Sequence, residues 1–175
     1  MSSEETPAQE HRAAAPSVIR CAVVTVSDTR TRATDRGGQI LIDLLSHDGH
    51  ILVQRQIVPD EPRGLRLLVQ ELAARDDIDA ILLTGGTGIS PRDQTFETIS
   101  ALLDRPLPGY GELFRQLSYQ EIGSAAMLSR AVGGLMARTV ILTMPGSPAA
   151  VRLAMQRLIL PELGHLVQQA GKTPE

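Results

Sequence analysis

The sequence is poor in aromatic side chains and in cysteine. Among its 175 residues there are only two Phe and two Tyr, and Trp is missing altogether. The core must therefore be packed from Leu, Ile, Val, Ala and Met, and few rings are available to stack on nucleic-acid bases. Cys21 is the only cysteine, which excludes an internal disulfide.

Long apolar runs and a strong net charge are also missing. No stretch approaches the roughly 20 apolar residues of a membrane-spanning helix, and the N-terminus lacks the apolar core of a signal peptide. The net charge is −3 without any basic run, so nucleic-acid binding has little support. We therefore expect a cytoplasmic enzyme or binding protein with neither a membrane nor a nucleic acid as its partner.

The chain divides into a tail and one domain. Residues 1–17 combine Pro, Glu, Ser and Ala without periodicity, and we expect a disordered tail there. Residues 18–170 are long enough to bury a substantial core as a single domain.

Buried strands and helices alternate along this domain. Apolar, largely β-branched runs predict buried strands at 18–28, 78–84 and 137–144, and a mixed segment at 51–60 predicts an edge or half-exposed strand. Helical periodicity appears in the segments around Ile40–Leu45 and at 61–77, 95–105, 111–123 and 147–169, the last with a bend expected at Pro161. The alternation predicts a three-layer α/β fold with a largely parallel sheet.

Small polar residues follow each of the three buried strands. The first run ends in VSD (26–28), the second in TGGTG (84–88) and the third in MPGSP (144–148). Ligands of open α/β sheets bind at the carboxyl ends of the strands, where loops from neighbouring strands converge. The three loops are therefore the first candidates for a binding site.

The glycine-rich loop after the second strand suits an anion. Gly85, Gly86 and Gly88 leave backbone N–H groups open to close approach, and Thr84 and Thr87 add hydroxyls. A tight strand-to-helix turn that simply needs glycine is the alternative. The loop has neither the ending of a Walker A motif nor the third glycine of a dinucleotide fingerprint.

Charged residues beside this loop point to a phosphate and a cation. Arg92 can grip phosphate bidentately, whereas Asp93 would repel a phosphate unless a cation such as Mg²⁺ lay between them. The alternative is that Asp93 caps the following helix. Asp60 has the same two interpretations: a cap for the helix after it, or a second carboxylate that faces Asp93.

Two further segments carry weaker signals. Ser147 and Pro148 are typical of a helix start, and Gly146 leaves the same helix N-terminus open to an anion. Ser129 and Arg130 precede a glycine pair that we expect to be flexible.

In this order, the segments VSD, IVPDE, TGGTGxxxRD, LSRAVGG and MPGSP resemble the MoaB/MogA family of molybdenum cofactor biosynthesis proteins, over about residues 18–165. The stretches ISPRDQ and LSYQEIGSAAMLSRAVGGL look closer to the MoaB branch. One departure is Phe96, which stands where the family pattern RDxTPEA has proline, while Thr95 and Glu97 keep their places.

The resemblance implies a three-layer sandwich whose mostly parallel sheet has one antiparallel edge strand. It also implies assembly as a homotrimer, or as a hexamer in the MoaB branch, and binding of molybdopterin. In the MogA branch molybdopterin is adenylylated with ATP and Mg²⁺, and other proteins of the same biosynthesis are further candidate partners. A non-catalytic, oligomeric molybdopterin carrier is the alternative function.

Carried over residue by residue, the resemblance makes Asp60 and Asp93 the catalytic and metal-binding pair. Its implied substrate-binding residues are Ser27, Asp28, Thr84, Gly85, Gly86, Thr87, Gly88, Arg92, Thr95, Ser129, Arg130, Pro145, Gly146 and Ser147.

Overall fold

The computed structural model describes residues 15–172, so that the predicted tail lies outside the described residues except for residues 15–17. Strands and helices alternate as expected. In chain order they are β1 (Arg20–Val26), α1 (Arg36–His47), β2 (Ile51–Val58), α2 (Pro62–Ala73), β3 (Ala80–Thr84), α3 (Thr95–Ser100), β4 (Arg105–Pro106), α4 (Pro108–Ile122), β5 (Gly133–Met136), β6 (Thr139–Met144), α5 (Pro148–Ala154) and α6 (Leu160–Ala170).

The strands form one sheet in the order β2-β1-β3-β6-β5-β4. Strands β2, β1, β3 and β6 run parallel to one another. Strand β5 is antiparallel to β6, and the two-residue β4 pairs antiparallel with β5 at the outer edge. The predicted mostly parallel sheet with an antiparallel strand at one edge is therefore confirmed, and the half-exposed segment from Ile51 is an edge strand, as expected.

Helices cover both faces of the sheet and make three layers. Side chains of β1 alternate between the two cores, because Cys21 and Val23 pack on one face whereas Ala22 and Val24 pack on the other. The first core also takes side chains from α1, α4, α5 and α6, and the second takes them from α2 and α3. Both faces of the central strands are buried, as their continuous apolar runs predict.

Helix starts near the sheet's carboxyl edge are fixed by local caps. The carboxylate of Asp35 accepts a hydrogen bond from the Gly38 N–H at 2.9 Å and begins α1. Ser147 accepts from the Ala150 N–H at 3.3 Å, with Pro148 in the first helical turn, which confirms the predicted start of α5.

The sequence did not reveal the short strands β4 and β5. Gly133 and Gly134, expected to be a flexible pair, lie in β5 instead. A Cβ on Gly133 would meet the Leu142 side chain, and one on Gly134 would meet the Arg105 carbonyl oxygen. These glycines therefore allow close packing between strands and do not serve as a hinge.

The C-terminal helical run is continuous but irregular. Between α5 and α6 the backbone forms a wide π-helical turn at Met155–Ile159, immediately before Pro161. Proline cannot donate to the carbonyl four residues earlier, and a locally wider turn accommodates that loss. Neither this run nor any other helix within residues 15–172 is long and apolar enough to cross a membrane.

The single cysteine lies in the core. Cys21 is fully buried on β1, and its thiol lies 3.9 Å from the Ile19 carbonyl oxygen. Burial, with a smaller contribution from the charge of Asp79, raises the pKa of this thiol to about 12. The side chain is therefore a protonated core residue at neutral pH, with no role as a nucleophile.

We expect Leu82→Ala to lower the free energy of unfolding by about 2–5 kcal/mol, because Leu82 is fully buried on the central strand β3 and its loss leaves a cavity. Leu67→Ala on α2 is the matched control, since Leu67 is 58% exposed and should cost less than about 1 kcal/mol. Urea denaturation of both variants checks the difference, and equal losses would contradict the assigned core.

Candidate functional site

The three polar loops converge at one edge of the sheet. Strands β1, β3 and β6 are neighbours, so their carboxyl ends lie side by side. The Gly85 N–H donates to the Met144 carbonyl oxygen at 3.0 Å, and the Thr84 hydroxyl donates to the Pro145 carbonyl oxygen at 3.1 Å. The Thr84 hydroxyl thus links the ends of β3 and β6, and its proton is already used in this hydrogen bond. The chain leaves β1 towards one sheet edge and β3 towards the other, which makes this the switch point where ligands bind in such sheets.

The glycine loop is built under tight steric limits. Gly85 has φ +101° and Gly86 has φ +64°, a region that side chains rarely adopt. A Cβ on Gly85 would overlap the Val26 carbonyl oxygen, and one on Gly86 would overlap the Thr95 hydroxyl and the Asp60 carboxylate. Both glycines are therefore required by the turn itself.

Two clefts adjoin along Gly146 and Ser147. The larger cleft, about 640 Å³, lies between the end of β1 and the start of α1, and its lining includes Ser27, Arg30 and Arg36. Arg30 and Arg36 are exposed and give this cleft a basic wall. We did not single out either residue from the sequence, although the segment TRTRATDRGG follows the first strand end directly.

The smaller cleft, about 320 Å³, lies on the other side of the glycine loop. Its polar lining includes Gly88, Asp93 and Ser129, together with the Gly146–Ser147 segment that it shares with the larger cleft. The remaining wall is largely apolar and includes Phe114, Ile122, Ala125, Ala126 and Leu128.

Asp60 is an almost buried carboxylate without a basic partner. It is 6% exposed, and its two carboxylate oxygens accept hydrogen bonds from the backbone N–H of Gln94, at 3.2 and 3.3 Å. Burial raises the pKa of Asp60 above its ordinary value, and the Gln94 hydrogen bond opposes that rise. The neighbouring charges of Asp93 and Asp28 raise it further. The charge of the Arg92 guanidinium lowers the pKa of Asp60 by less, and no basic side chain within residues 15–172 forms an ion pair with this carboxylate.

Neither Asp60 nor Asp93 caps the helix that follows it, so the alternative interpretation of both residues as helix caps is wrong. Helix α2 is capped by Glu61, whose carboxylate accepts from Arg63 N and Gly64 N. Helix α3 starts after Gln94 without a side-chain cap. Asp93 accepts from the Ser90 N–H at 3.1 Å and contacts Gly88. Both carboxylates are directed to the glycine loop.

Arg92 is occupied by a residue far away in sequence. Its guanidinium donates to both oxygens of Asp28, at 2.7 and 2.8 Å, and this pair lowers the pKa of Asp28. Asp28 also accepts from the Asp60 N–H at 3.2 Å. The Arg92 and Asp28 side chains are 65% and 36% exposed. Exposed ion pairs contribute little to stability, so a phosphate can compete for Arg92.

Some hydroxyl groups of the site have hydrogen-bond partners within the protein, and others have none among the described residues. Ser27 accepts from the N–H groups of Thr29 and Arg30, whereas the hydroxyls of Thr95 and Ser129 are buried without a hydrogen-bond partner in the described part of the chain. Thr95 lies against Gly86 beside the Asp60 carboxylate, and Ser129 lines the smaller cleft. Buried hydroxyls without partners are uncommon and mark places where a ligand can bind.

Asp60→Asn should stabilise the ligand-free protein by about 1 kcal/mol at neutral pH, because an amide can accept from Gln94 without a buried charge. Because the pKa of Asp60 is higher in the folded state than in the unfolded state, the ionised carboxylate lowers the free energy of unfolding at neutral pH. The advantage of Asp60→Asn should disappear as the pH falls below about 3.9, where Asp60 is protonated in both the folded and the unfolded state. Urea denaturation in EDTA at neutral and acidic pH checks this, with exposed Asp43→Asn as the control. A loss of stability in Asp60→Asn at neutral pH would contradict the assignment.

Comparison with known proteins identifies the family of this chain. Residues 22–165 match the family model of a probable molybdopterin-binding domain. The molybdenum cofactor biosynthesis protein B of Bacillus cereus is 52% identical over 158 residues, which cover 90% of this chain and 94% of that protein.

Solved structures show the same fold. The crystal structure of a molybdenum cofactor biosynthesis protein B superimposes with a TM-score of 0.88 at 51% identity, over 91% of this chain and 99% of the other. A MogA structure superimposes with a TM-score of 0.75 at 34% identity, over 87% of this chain and 99% of the other. The chain therefore belongs to the MoaB/MogA family of molybdenum cofactor biosynthesis proteins and lies closer to its MoaB branch.

Proposed function

We propose that this protein binds molybdopterin and transfers the adenylyl group of ATP to its terminal phosphate in the presence of Mg²⁺, releasing pyrophosphate. The observation that carries the proposal is the pair of clefts that adjoin along Gly146 and Ser147, with acidic side chains beside the loop between them. Group transfer between two substrates requires neighbouring sites that hold the reacting atoms together. We expect the reaction to take place in the cytoplasm.

The larger cleft is the better site for ATP. Its volume of about 640 Å³ falls within the range of small-molecule sites, and it lies at the switch point between β1 and β3. Arg30 and Arg36 supply positive charge to a polyphosphate, whereas no basic residue lines the smaller cleft among the residues described.

The smaller cleft suits the pterin ring. Ile122 and Leu128, which are 59% and 49% exposed, offer an apolar wall for a flat heterocycle, with the buried Phe114 packed behind them. The Ser129 hydroxyl is unpaired within the described residues. Such a combination of apolar surface with a few polar groups is typical of sites that orient small molecules.

The donors present fit Mg²⁺. Asp60 is buried beside Asp93 without a basic partner, and no cluster of three or more His, Cys, Asp or Glu residues suited to a metal ion occurs within residues 15–172. Magnesium is commonly held by one or two carboxylates together with substrate phosphates and waters, whereas an all-protein metal site would need more ligands. When bound, the ion would neutralise phosphate charge and act as a Lewis acid.

The protein's own contribution is then positioning and charge compensation. An oxygen of the terminal phosphate of molybdopterin attacks the α-phosphorus of ATP, and the bond to the β-phosphate oxygen breaks. The attacking phosphate is already ionised near neutral pH, so no general base is required. Asp60 and Asp93 hold the cation, Arg30 and Arg36 oppose phosphate charge, and Arg92 becomes available when it leaves Asp28.

Asp93→Asn and Asp60→Asn should each reduce turnover by roughly a hundredfold or more, with a smaller effect on pterin affinity, because each removes a cation ligand and leaves the clefts intact. The measurement is formation of adenylylated pterin and pyrophosphate from molybdopterin, ATP and Mg²⁺, with pterin binding measured in parallel. Asp43→Asn on the exposed face of α1 is the control.

Equal losses of pterin affinity and of rate in both aspartate variants would overturn their assignment to the cation. Tight pterin binding by the unmodified protein without product would favour the alternative, a non-catalytic carrier of the MoaB type.

Arg36→Ala should raise the KM for ATP about tenfold and leave pterin affinity nearly unchanged, because Arg36 lines the larger cleft and not the smaller one. Steady-state kinetics with varied ATP checks this, and Arg66→Ala on the exposed side of α2 is the control. A change in pterin affinity without a change in KM for ATP would reverse the assignment of the two clefts.

Assembly into a homotrimer or hexamer remains part of the proposal. Tyr119 and Met127 are 64% and 74% exposed, and self-association is one way to cover such side chains. Light scattering of the purified protein distinguishes the trimer from the hexamer.

A further inference from the structure

Arg130 holds the glycine loop at three backbone carbonyls. Its N–H donates to the Thr87 carbonyl oxygen at 3.0 Å, and its Nε donates to the Gly88 carbonyl oxygen at 2.8 Å. A terminal nitrogen of the same guanidinium donates to the Asp93 carbonyl oxygen at 2.9 Å. The residue thus binds both ends of the segment that carries the proposed cation ligand Asp93.

The rest of the guanidinium is fixed to the first turn of α3. Its other terminal nitrogen forms an ion pair with the Glu97 carboxylate, and its carbon lies 5.1 Å from the centre of the Phe96 ring. The Arg130 side chain is only 25% exposed. All three guanidinium nitrogens are therefore engaged within the protein.

We propose that Arg130 is a positioning residue, which joins the glycine loop to α3 and thereby holds the Asp93 carboxylate in place, and that it does not contact the substrate. The resemblance placed Arg130 among the substrate-binding residues, but its nitrogens already face protein carbonyls and Glu97. Asp93 Oδ2 lies 2.8 Å from where a Cβ of Gly88 would be, so the carboxylate packs against Gly88, one of the three residues whose carbonyl oxygens Arg130 binds.

This role needs an arginine and an aromatic neighbour. A planar guanidinium can donate in three directions at once, whereas a lysine ammonium is a single point of charge on a flexible stem. Phe96 provides a ring face for the cation, so the residue that departs from the family pattern RDxTPEA gains a function here. A proline at position 96 would offer no aromatic face.

Arg130→Lys tests the proposal. Arg138→Lys is the matched control, because Arg138 lies in the β5–β6 turn at the opposite end of β6 and, within residues 15–172, its side chain donates a hydrogen bond only to the Gly171 carbonyl oxygen, at 3.5 Å. Hydrogen exchange of the amides at 86–94 should become at least about tenfold faster in Arg130→Lys and unchanged in Arg138→Lys. Affinity for Mn²⁺, measured by electron paramagnetic resonance, should fall about tenfold or more.

The metal measurement rests on the proposed function, whereas hydrogen exchange does not. If the unmodified protein binds no Mn²⁺, the cation site fails while the exchange result still decides the role of Arg130. Unchanged exchange in Arg130→Lys together with weaker binding of molybdopterin would overturn the proposal and make Arg130 a substrate contact.

Glu97→Gln keeps the proposal testable if Arg130→Lys does not fold. This variant removes the ion pair but leaves the guanidinium bonds to both loop carbonyls, so exchange at 86–94 should rise by a smaller factor in the same direction. A variant that lowers the melting temperature without altering exchange or Mn²⁺ affinity would indicate a merely structural residue.

Discussion

The site depends on one steric constraint, the passage of the chain between Gly85 and Gly86 at the end of β3. At that point the backbone passes against the last carbonyl of β1 on one side and against Thr95 and Asp60 on the other. A side chain at either glycine would push these groups apart. The close approach brings the β1 loop, the acidic residues and the start of α3 into one small region, and the glycine turn also separates the two clefts. The close packing of these segments and the separation of the two clefts thus both follow from the absence of side chains at Gly85 and Gly86.

Charge is divided unequally around this turn. Basic side chains line the larger cleft, and three aspartates lie near the glycine loop. Of these three, only Asp28 forms an ion pair with an arginine in the part of the chain that the structure describes. A buried carboxylate that is left without a cation costs stability, and natural proteins retain such costs mainly at functional sites. The arrangement therefore suits the binding of anionic ligands beside a cation, in a chain that belongs to a family of molybdenum cofactor biosynthesis proteins.

Much of the fold could be predicted from the sequence, because the buried strands of a parallel sheet are continuous apolar runs and the helices between them are periodic. The short strands β4 and β5 could not, since Gly133 and Gly134 pair through contacts with residues that local patterns do not reveal. The ends of these strands could be predicted as well, because each apolar run stops where small polar residues begin. The partners of their side chains could not, because Arg92 binds Asp28 and Asp60 binds Gln94 across large separations in sequence. An aspartate before a helix looks like a cap until the competing donors are known.

The burial of Cys21 has a practical consequence for following this protein in solution. Its thiol is fully enclosed on β1 and stays protonated at neutral pH, so reagents that attack thiolates have no accessible target there. A cysteine introduced at an exposed position such as Ile89, which is 65% exposed beside the glycine loop, would be the single labelling point of the molecule. A fluorophore or spin label placed there would report on occupancy of the neighbouring cleft against a silent background, without any prior removal of the native thiol.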